Sequence, residues 1–238
     1  MSSYNAVPAT VDFPALEREI IALWAERDTF AKSLENTRDG DPWTFYEGPP
    51  TANGMPGTHH IEARVFKDLF PRFKTMQGRR VDRKAGWDCH GLPVELAVEK
   101  ELGFSGKPDI EAYGVEPFNA KCRESVLRHV DAFAELTRRM GYWVNLDEAY
   151  VTMTPEYVQS VWWALKQIFD KGLLQEDYRV APYCPRCGTT LSDHELAQGY
   201  EDVTDPSVYV RFPVTSGPLA GQADLLVWTT TPWTLVSN

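Results

Sequence analysis

The stretch WTFYEGPPTANGMPGTHHIEARVFKDLFPRFKTMQGRRVDRKAGWDCHGLPVE, residues 43–95, decides the fold of this chain. It opens with an alternating run at residues 43–46, which predicts a short strand ending at Gly48. A Gly/Pro loop follows, and a helix is predicted from about His59 to residue 76. Its apolar residues recur at helical spacing: Ile61, Val65, Phe66, Leu69 and Phe73. A second strand at residues 80–85 then leads into a polar loop. In an open α/β sheet both loops would lie at the same carboxyl edge, where such folds bind ligands.

The first of these loops carries groups that suit phosphate. A helix that opens at Thr58-His59-His60 presents backbone N–H groups and a partial positive charge to the loop. Imidazoles there can hydrogen-bond phosphate oxygens as charge develops in phosphoryl transfer. The alternative is a packed loop with two surface histidines. The two common phosphate fingerprints, GxxxxGK[ST] and GxGxxG, are absent from the sequence.

Two runs in this stretch resemble a known family. PTANGMPGTHH, residues 50–60, is similar to the HIGH motif of the class I aminoacyl-tRNA synthetases. GWDCHGLPVE, residues 86–95, resembles the matching segment of the isoleucyl-tRNA synthetases, whereas valyl and leucyl enzymes carry other residues there. The resemblance runs through nearly all of the chain but covers only the N-terminal part of that family's length. It implies an α/β fold: a Rossmann-like parallel sheet, the first half of the catalytic domain, with a helical insertion.

The resemblance also implies an activity, that of an isoleucine–tRNA ligase. Such an enzyme uses ATP and Mg²⁺ to activate isoleucine to isoleucyl-AMP and transfers the isoleucyl group to tRNA(Ile). His59 and His60 would then be catalytic, and Pro49 and Asp88 would bind the amino acid, Asp88 through its ammonium group. From the residues alone, Asp88 could equally cap the following helix. The positions that would bind ATP are Pro50, Asn53, Gly54, Gly57, Thr58, His59 and His60.

The nucleotide loop departs from the family pattern at two positions. The family motif reads His-x-Gly-His, whereas Gly57, Thr58, His59 and His60 stand here. In the family the glycine lets the adenine ring pack closely against the backbone, and a side chain at His59 should crowd that ring. Because two imidazoles remain in the loop, we interpret the exchange as a reshaped site that still functions.

Composition restricts the classes of function. A net charge of −10 argues against a general nucleic-acid binder. If tRNA binds, most of its contacts should lie elsewhere in a longer protein or at a patch such as Arg79-Arg80. No apolar run approaches the roughly 18 residues of a membrane span, and no signal peptide opens the chain. The four cysteines without secretory context indicate a reducing cytoplasm: Cys89, Cys122, Cys184 and Cys187.

Helices are predicted on both sides of the organising stretch. The first begins after Asp12, which can cap it, with Pro14 in its first turn. Residues 1–10 before it are expected to be disordered. Other helices are predicted at residues 94–102, 117–140 and 155–171, with a Gly/Pro loop at residues 105–114.

Two pairs of residues on these helices bear on packing. Glu95 and Glu99 are expected on the solvated surface, where most carboxylates lie. Trp162 and Trp163 are adjacent, so they cannot both face one core. The helices are otherwise expected to bury the sheet.

Cys184-Pro-Arg-Cys187 has the spacing of half a zinc knuckle, because two intervening residues let both thiolates reach one tetrahedral ion. A structural zinc ion takes four ligands, and only two are in order here. His194 lies in what reads as a helix start. A redox CxxC is the alternative, although a thioredoxin-like context is lacking. In the resembling family the second cysteine pair follows a long inserted domain, so residues 181–198 are predicted to be half of a zinc site.

A β-rich module is predicted from residue 199 onward. Strands are expected at residues 208–212 and 225–228, separated by Gly/Pro turns. The run WTTTPWTL, residues 228–235, resembles the threonine-rich peptide of the isoleucyl enzymes' editing domain, which hydrolyses misacylated Val-tRNA. The implied editing residues are Thr229, Thr230, Thr231 and Thr234; valyl and leucyl enzymes carry an arginine where Thr231 stands. The predicted domains are thus residues 1–180, 181–198 and 199–238.

The sequence also predicts what the isolated chain does not do. A lysine loop of the KMSKS type is absent, so we expect no aminoacylation by this chain alone, and we expect the full-length enzyme to be a monomer. One rival hypothesis is a non-catalytic nucleotide- or tRNA-binding module from a split or truncated gene. A second rival, a small zinc domain, would need four ligands.

Overall fold

A computed structural model describes residues 9–197 and 199–236, and the chain separates into two compact units at Tyr178/Arg179. The predicted disorder of residues 1–10 falls mostly on residues outside this description. Elements of the first unit are α1 (Phe13–Glu26), α2 (Thr29–Glu35), α3 (Thr58–Met76), β1 (Lys84–Trp87), α4 (Leu92–Leu102), α5 (Lys107–Tyr113), α6 (Val115–Val126), α7 (Val130–Arg139), β2 (Asn145–Val151) and α8 (Pro155–Asp170). Elements of the second unit are β3 (Tyr183–Cys184), β4 (Thr189–Thr190), α9 (Asp193–Ala197), β5 (Val208–Pro213), β6 (Asp224–Thr229) and a 3₁₀ helix (Pro232–Val236).

The sheet of the first unit is a parallel pair, β1 with β2, in which Gly86 lies opposite Tyr150. Helices α4 to α7 form the crossover between the two strands, as parallel pairing requires. The second predicted strand is confirmed, but it lies at residues 84–87 instead of 80–85. The first is wrong: residues 43–46 form no regular strand, and only single parallel bridges join Pro42 to Arg80 and Thr51 to Asp88.

Helix α3 is confirmed in extent, but its apolar stripe is not the buried face. The five stripe residues named above are between 38% and 58% exposed. The buried residues of α3 are Arg64 and Pro71. Arg64 turns inward because the hydroxyl of Thr137 accepts its Nε–H at 3.2 Å and its guanidinium lies 5.3 Å from the ring centroid of Phe133. Polar contacts, which periodicity does not reveal, therefore orient this helix.

The predicted secondary structure is wrong for two segments. The long helix at residues 117–140 is divided into α6 and α7, because the backbone N–H of His129 leaves the helix ladder and donates to the carbonyl of Ala52 at 3.0 Å. The loop at residues 105–114 contains helix α5, where Asp109 accepts hydrogen bonds from the backbone and hydroxyl of Ser105. Both differences arise from specific hydrogen bonds.

The remaining helix predictions are largely confirmed. Asp12 accepts from the N–H of Ala15 at the start of α1, and Thr154 caps α8 in the same way. On α4, however, Glu99 is buried, so its predicted solvation is wrong. The expectation that α8 buries the sheet is also wrong, since none of its residues is buried and both tryptophans are exposed.

The core of the first unit lies around β1 and consists of three clusters. Their buried members are Ala52, Trp87 and Phe133; Ala85, Tyr142 and Val144; and Cys89, Val94 and Val126. Trp87 and Cys89 flank Asp88, so the core holds the loop at the end of β1 from both sides.

The second unit contains two antiparallel hairpins. The predicted strands at residues 208–212 and 225–228 are confirmed as β5 and β6, which pair from Val208–Thr229 to Pro213–Asp224. A shorter hairpin, β3 with β4, carries the Cys184–Cys187 turn. In the described part of the chain, no helix has the length and apolar composition needed to cross a bilayer.

Candidate functional site

The two loops of the organising stretch are joined by backbone and side-chain hydrogen bonds. The N–H of Asp88 donates to the carbonyl of Pro50 at 3.0 Å, which completes the bridge between Thr51 and Asp88. Further along the first loop, the side-chain amide of Asn53 donates to the carbonyl of Pro93 at 2.8 Å. The loop that precedes α3 and the loop that carries Asp88 are therefore held side by side.

The same core cluster supports both loops from below. Ala52, from the first loop, packs with Trp87 and Phe133. His60 lies edge-on to Phe133 at 4.8 Å between ring centroids, and Trp87, next to Asp88, lies 6.2 Å from the same ring. His60 and Trp87, the residue before Asp88, therefore pack against the same Phe133 ring.

The contacts of His60 define its hydrogen-bonding role. The backbone N–H of Gly57 donates to its Nδ1 at 2.9 Å, which assigns the ring proton of the neutral form to Nε2. Burial lowers the pKa of His60, and the neighbouring charges of His59 and Arg64 lower it further. At neutral pH the ring is therefore uncharged, with Nε2–H as a donor at the start of α3.

Gly57 and His59 share one small volume. A Cβ built on Gly57 would lie 3.0 Å from Cε1 and 3.1 Å from Nδ1 of His59. The His59 ring also lies against His60, with 3.9 Å between ring centroids. The His59 imidazole thus reaches back toward position 57, where the family motif has its first histidine.

The Asp88 carboxylate is 38% exposed, and both of its oxygens have hydrogen-bond partners. Its Oδ1 accepts from the N–H of His90 at 3.2 Å, and its Oδ2 lies 3.4 Å from the hydroxyl of Thr51. Helix α4 instead begins at Leu92, with Gly91 as its N-cap and no side-chain cap. The alternative that Asp88 caps the following helix is therefore wrong.

A buried polar cluster that the sequence did not reveal lies behind the first loop. Oε1 of Glu47 pairs with Nζ of Lys67 at 2.8 Å, and Oε2 accepts from the hydroxyl of Tyr142 at 2.5 Å. Lys67 also donates to the carbonyl of Gly48 at 2.6 Å, and the hydroxyl of Tyr150 donates to the carbonyl of Glu47 at 2.5 Å. Burial and the Glu47 carboxylate raise the pKa of Tyr142 far above its usual range. This cluster fixes residues 47–48, which lead directly into Pro49 and Pro50.

The two predicted metal ligands lie in the second unit. The N–H of Cys187 donates to Sγ of Cys184 at 3.5 Å, within the turn that joins β3 to β4. Among residues 9–197 and 199–236, no group of three or more His, Cys, Asp or Glu side chains could hold a metal ion. The side chain of His194 falls outside the described atoms. Two thiols are half of a tetrahedral zinc set, so the described residues do not make a complete site.

The threonine run also lies in the second unit and forms the turn that follows β6. The N–H of Thr231 donates to the hydroxyl of Thr229 at 2.9 Å, and the hydroxyl of Thr234 donates to the carbonyl of Thr231 at 2.7 Å. Thr230 lies between them. The run is thus a structured turn that leads into the 3₁₀ helix.

Comparison with known protein families gives a match to the tRNA synthetases class I (I, L, M and V) over residues 19–233. The chain belongs to this family. The resemblance at family level is therefore confirmed. The parallel strand pair with its crossover helices is compatible with a class I synthetase domain.

Individual relatives are isoleucine–tRNA ligases. The protein of Cutibacterium acnes is 83% identical over 99% of this chain and 21% of the relative. That of Thermobifida fusca is 75% identical over 99% of this chain and 22% of the relative. The chain therefore spans about a fifth of the length of these relatives. A solved complex of LeuRS, tRNA and LeuAMS from Agrobacterium radiobacter K84 is similar over 95% of this chain and 32% of that chain, with a TM-score of 0.46 and 17% identity.

Within this family member, the structure brings some predicted residues together and not others. Pro50, Asn53, Gly57, His60 and Asp88 belong to the joined loops. Gly54 lies exposed at the tip of the first loop. Sequence reasoning missed the residues behind these loops, Glu47, Lys67, Tyr150 and Thr152, because no motif or local spacing marks them.

Proposed function

We propose that this chain is part of an isoleucine–tRNA ligase, which activates isoleucine with ATP and transfers it to tRNA(Ile). The observation that carries the proposal is the joining of the nucleotide loop and the Asp88 loop over one core cluster. The ligase name shared by relatives at 74% to 83% identity supports the choice of isoleucine. The rival non-catalytic module is not favoured, because relatives that match 99% of the chain are named as ligases.

In the proposed reaction the isoleucine carboxylate attacks the α-phosphorus of ATP in line, the bond to the α,β-bridging oxygen breaks, and pyrophosphate leaves. Catalysis consists of positioning and charge stabilisation. His60, with Nε2–H free to donate, and His59 beside it would stabilise charge on the phosphates. Loss of one such donor typically lowers the rate by about 10²–10³-fold. Mg²⁺ bound with ATP would offset negative charge on the phosphates.

The amino-acid end of the proposed site is formed by two elements. Asp88 would pair with the substrate ammonium, since its carboxylate is partly exposed and held in place. Pro49 would lie along the substrate side chain, in the segment fixed by Glu47 and Lys67. Pro50, Asn53, Gly54, Gly57 and Thr58 would form the ATP loop.

The second unit would serve editing and metal binding. One methylene separates isoleucine from valine, and a pocket distinguishes them by only about 10–200-fold, a limit for which the isoleucyl enzymes are the usual illustration. A hydrolytic domain that begins at residue 199 and contains the threonine run, Thr229, Thr230, Thr231 and Thr234, would remove the errors. Cys184 and Cys187 would hold zinc with two ligands from beyond this chain. The domain boundaries would be those predicted above, in a monomeric cytoplasmic enzyme.

The exposed apolar faces of α3 and α8 support the view that this chain is part of a larger enzyme. Soluble proteins rarely leave large contiguous apolar faces uncovered. The relatives' greater length provides the chain that could cover them. We therefore expect no aminoacylation from the 238-residue chain alone.

The test is a chimera of the Cutibacterium acnes ligase in which this chain replaces the matching 235 residues. Isoleucine-dependent pyrophosphate exchange should be retained in the chimera and absent from the isolated chain. His60→Asn should lower the exchange rate by about 10²-fold or more, and Asp88→Asn should raise the KM for isoleucine. A folded chimera that exchanges no pyrophosphate would overturn the proposed function. Exchange by the isolated chain would overturn the requirement for the rest of the enzyme.

A further inference from the structure

The hydroxyl of Thr152 lies at the centre of the contacts around Asp88. Thr152 follows the last residue of β2 and is buried, with 7% of its surface exposed. Its backbone N–H donates to the carbonyl of Trp87 at 3.1 Å and so extends the parallel pairing by one step. The end of β2 is therefore fixed to the residue immediately before Asp88.

This hydroxyl contacts the two residues that follow Asp88 in the chain. Oγ1 of Thr152 accepts from the backbone N–H of Cys89 at 2.9 Å and lies 3.1 Å from Nδ1 of His90. It also lies 3.5 Å from Oδ1 of Asp88, at the long limit for a hydrogen bond. Its two short contacts thus hold Cys89 and His90, and through them the loop that carries Asp88.

The Asp88 carboxylate has two further neighbours, Thr51 and His90. The carboxylate is exposed enough to meet a substrate, yet Thr51 approaches one oxygen and the His90 N–H the other. The conformation of the loop therefore decides where the carboxylate points. A buried hydroxyl with several loop partners cannot be replaced by an apolar group without leaving the Cys89 N–H unsatisfied.

We propose that Thr152 is a positioning residue for isoleucine binding, one that acts through Asp88 and touches no substrate itself. This inference rests on the proposed function, in which Asp88 holds the amino-acid ammonium. Loss of the hydroxyl lets the Asp88 loop move, which weakens amino-acid binding and leaves ATP binding unchanged. Neither sequence motif nor helical spacing marks this position.

The test uses the active chimera with two variants of nearly equal size, Thr152→Ser and Thr152→Cys. Serine keeps the hydroxyl, whereas cysteine replaces it with a weak donor and acceptor. The KM for isoleucine in pyrophosphate exchange should stay within about three-fold for serine and rise about ten-fold or more for cysteine. The KM for ATP should change by less than about two-fold in both. A role in packing alone predicts the reverse order, because cysteine is the larger and more apolar of the two.

A double-mutant cycle tests whether Thr152 acts through Asp88. In an Asp88→Asn background, Thr152→Cys should raise the isoleucine KM no further, because the two residues form one unit. Additive effects, or a cysteine variant with an unchanged isoleucine KM, would overturn the inference while the chimera remains active. If either variant lowers the melting temperature, KM values are measured where the variant is folded. A rise in the ratio of the isoleucine KM to the ATP KM then still supports the inference, and an unchanged ratio contradicts it.

Failures of the two proposals are distinguishable. A chimera without isoleucine-dependent exchange contradicts the proposed function before any variant is compared. An active chimera in which Asp88→Asn leaves the isoleucine KM unchanged contradicts the role of Asp88, and with it the inference about Thr152.

Discussion

The imidazole of His59 occupies the space that a side chain at position 57 would need. A Cβ at Gly57 would come within 3.0 Å of His59 Cε1, closer than ordinary carbon contacts allow. These are the two positions at which the loop departs from the His-x-Gly-His pattern. The two departures accommodate each other, because the observed placement of the His59 ring is open only while position 57 has no side chain.

Gly57→Ala should displace the His59 ring at little cost in stability. The φ of Gly57 is −107°, which alanine adopts freely, and His59 is exposed and able to move. We expect the free energy of unfolding to change by less than about 1 kcal/mol. The ring ¹H shifts of both His59 and His60 should change, since the rings are in contact. The control is the same substitution in a His59→Ala background, where the His60 shifts should no longer respond. Unchanged shifts in the single variant would contradict the steric relationship.

Exchange of the two residues should alter inhibition of the full-length enzyme. In a Gly57→His, His59→Gly variant the glycine returns to the position where adenine packs in the family, so inhibitors that occupy the adenylate pocket should bind with changed affinity. Inhibition constants, compared with those of the unmodified enzyme, provide the measurement. If they are unchanged, the exchange has not reshaped the pocket.

His60 should remain neutral at pH values where a free histidine is already partly charged. Its pKa lies below 6.5 because of burial and the neighbouring His59 and Arg64. The unfolded chain therefore binds more protons than the folded chain in the window between this lowered pKa and 6.5. The folded state should lose stability as the pH falls through that window. NMR titration of the His60 Cε1–H would give the folded value, and the same titration in urea would give a value near 6.5. A folded value at or above 6.5 would contradict this environment.

The sequence was most informative where local patterns and motifs agree. Helix α3 begins where Thr58-His59-His60 predicts, and the caps at Asp12 and Thr154 are as expected. These features depend on residues close together in the chain, which a sequence displays directly.

The rest depends on contacts between residues distant in sequence. The orientation of α3 is decided by Arg64 against Thr137, 73 residues away, and the break between α6 and α7 by His129 against Ala52. Glu47 is buried by partners on α3 and near β2. A prediction from hydrophobic periodicity assigns every arginine and glutamate to the solvated surface. It therefore could not identify the charged residues that are buried with a partner.

Lys67→Met should destabilise the first unit strongly, because it leaves the Glu47 carboxylate buried without its ammonium partner. The Glu47 side chain is only 3% exposed. Removal of one partner of a buried pair typically costs about 3–5 kcal/mol. Urea unfolding followed by tryptophan fluorescence measures the loss. Arg128→Met is the matched control, since its pair with Glu101 is exposed and should contribute less than about 1 kcal/mol. Equal effects of the two variants would show that the Glu47 pair is not buried as described.

Tyr150→Phe should remove one hydrogen bond and leave the packing intact. The Tyr150 ring lies so close over β1 that a Cβ on Gly86 would be 2.3 Å from it, and phenylalanine keeps that ring. The lost bond joins the hydroxyl to the carbonyl of Glu47 at 2.5 Å, so the free energy of unfolding should fall by about 1 kcal/mol. Tyr157→Phe is the control: its ring stacks on Tyr150 at 5.4 Å, and no described residue hydrogen-bonds its hydroxyl, so it should change little.

The difference in the free energy of unfolding between wild type and Tyr150→Phe should decrease as the pH rises. Burial raises the pKa of Tyr150 to about 12, whereas an unfolded tyrosine ionises near 10. Because the folded pKa is raised, the stabilisation by the Tyr150 hydroxyl is complete well below pH 10 and is lost as the pH rises toward 12. Urea unfolding of both proteins at pH 8, 9 and 11 should therefore show nearly the same difference at pH 8 and 9 and a smaller one at pH 11. A difference that grows with pH would mean that the hydroxyl does not donate to the Glu47 carbonyl.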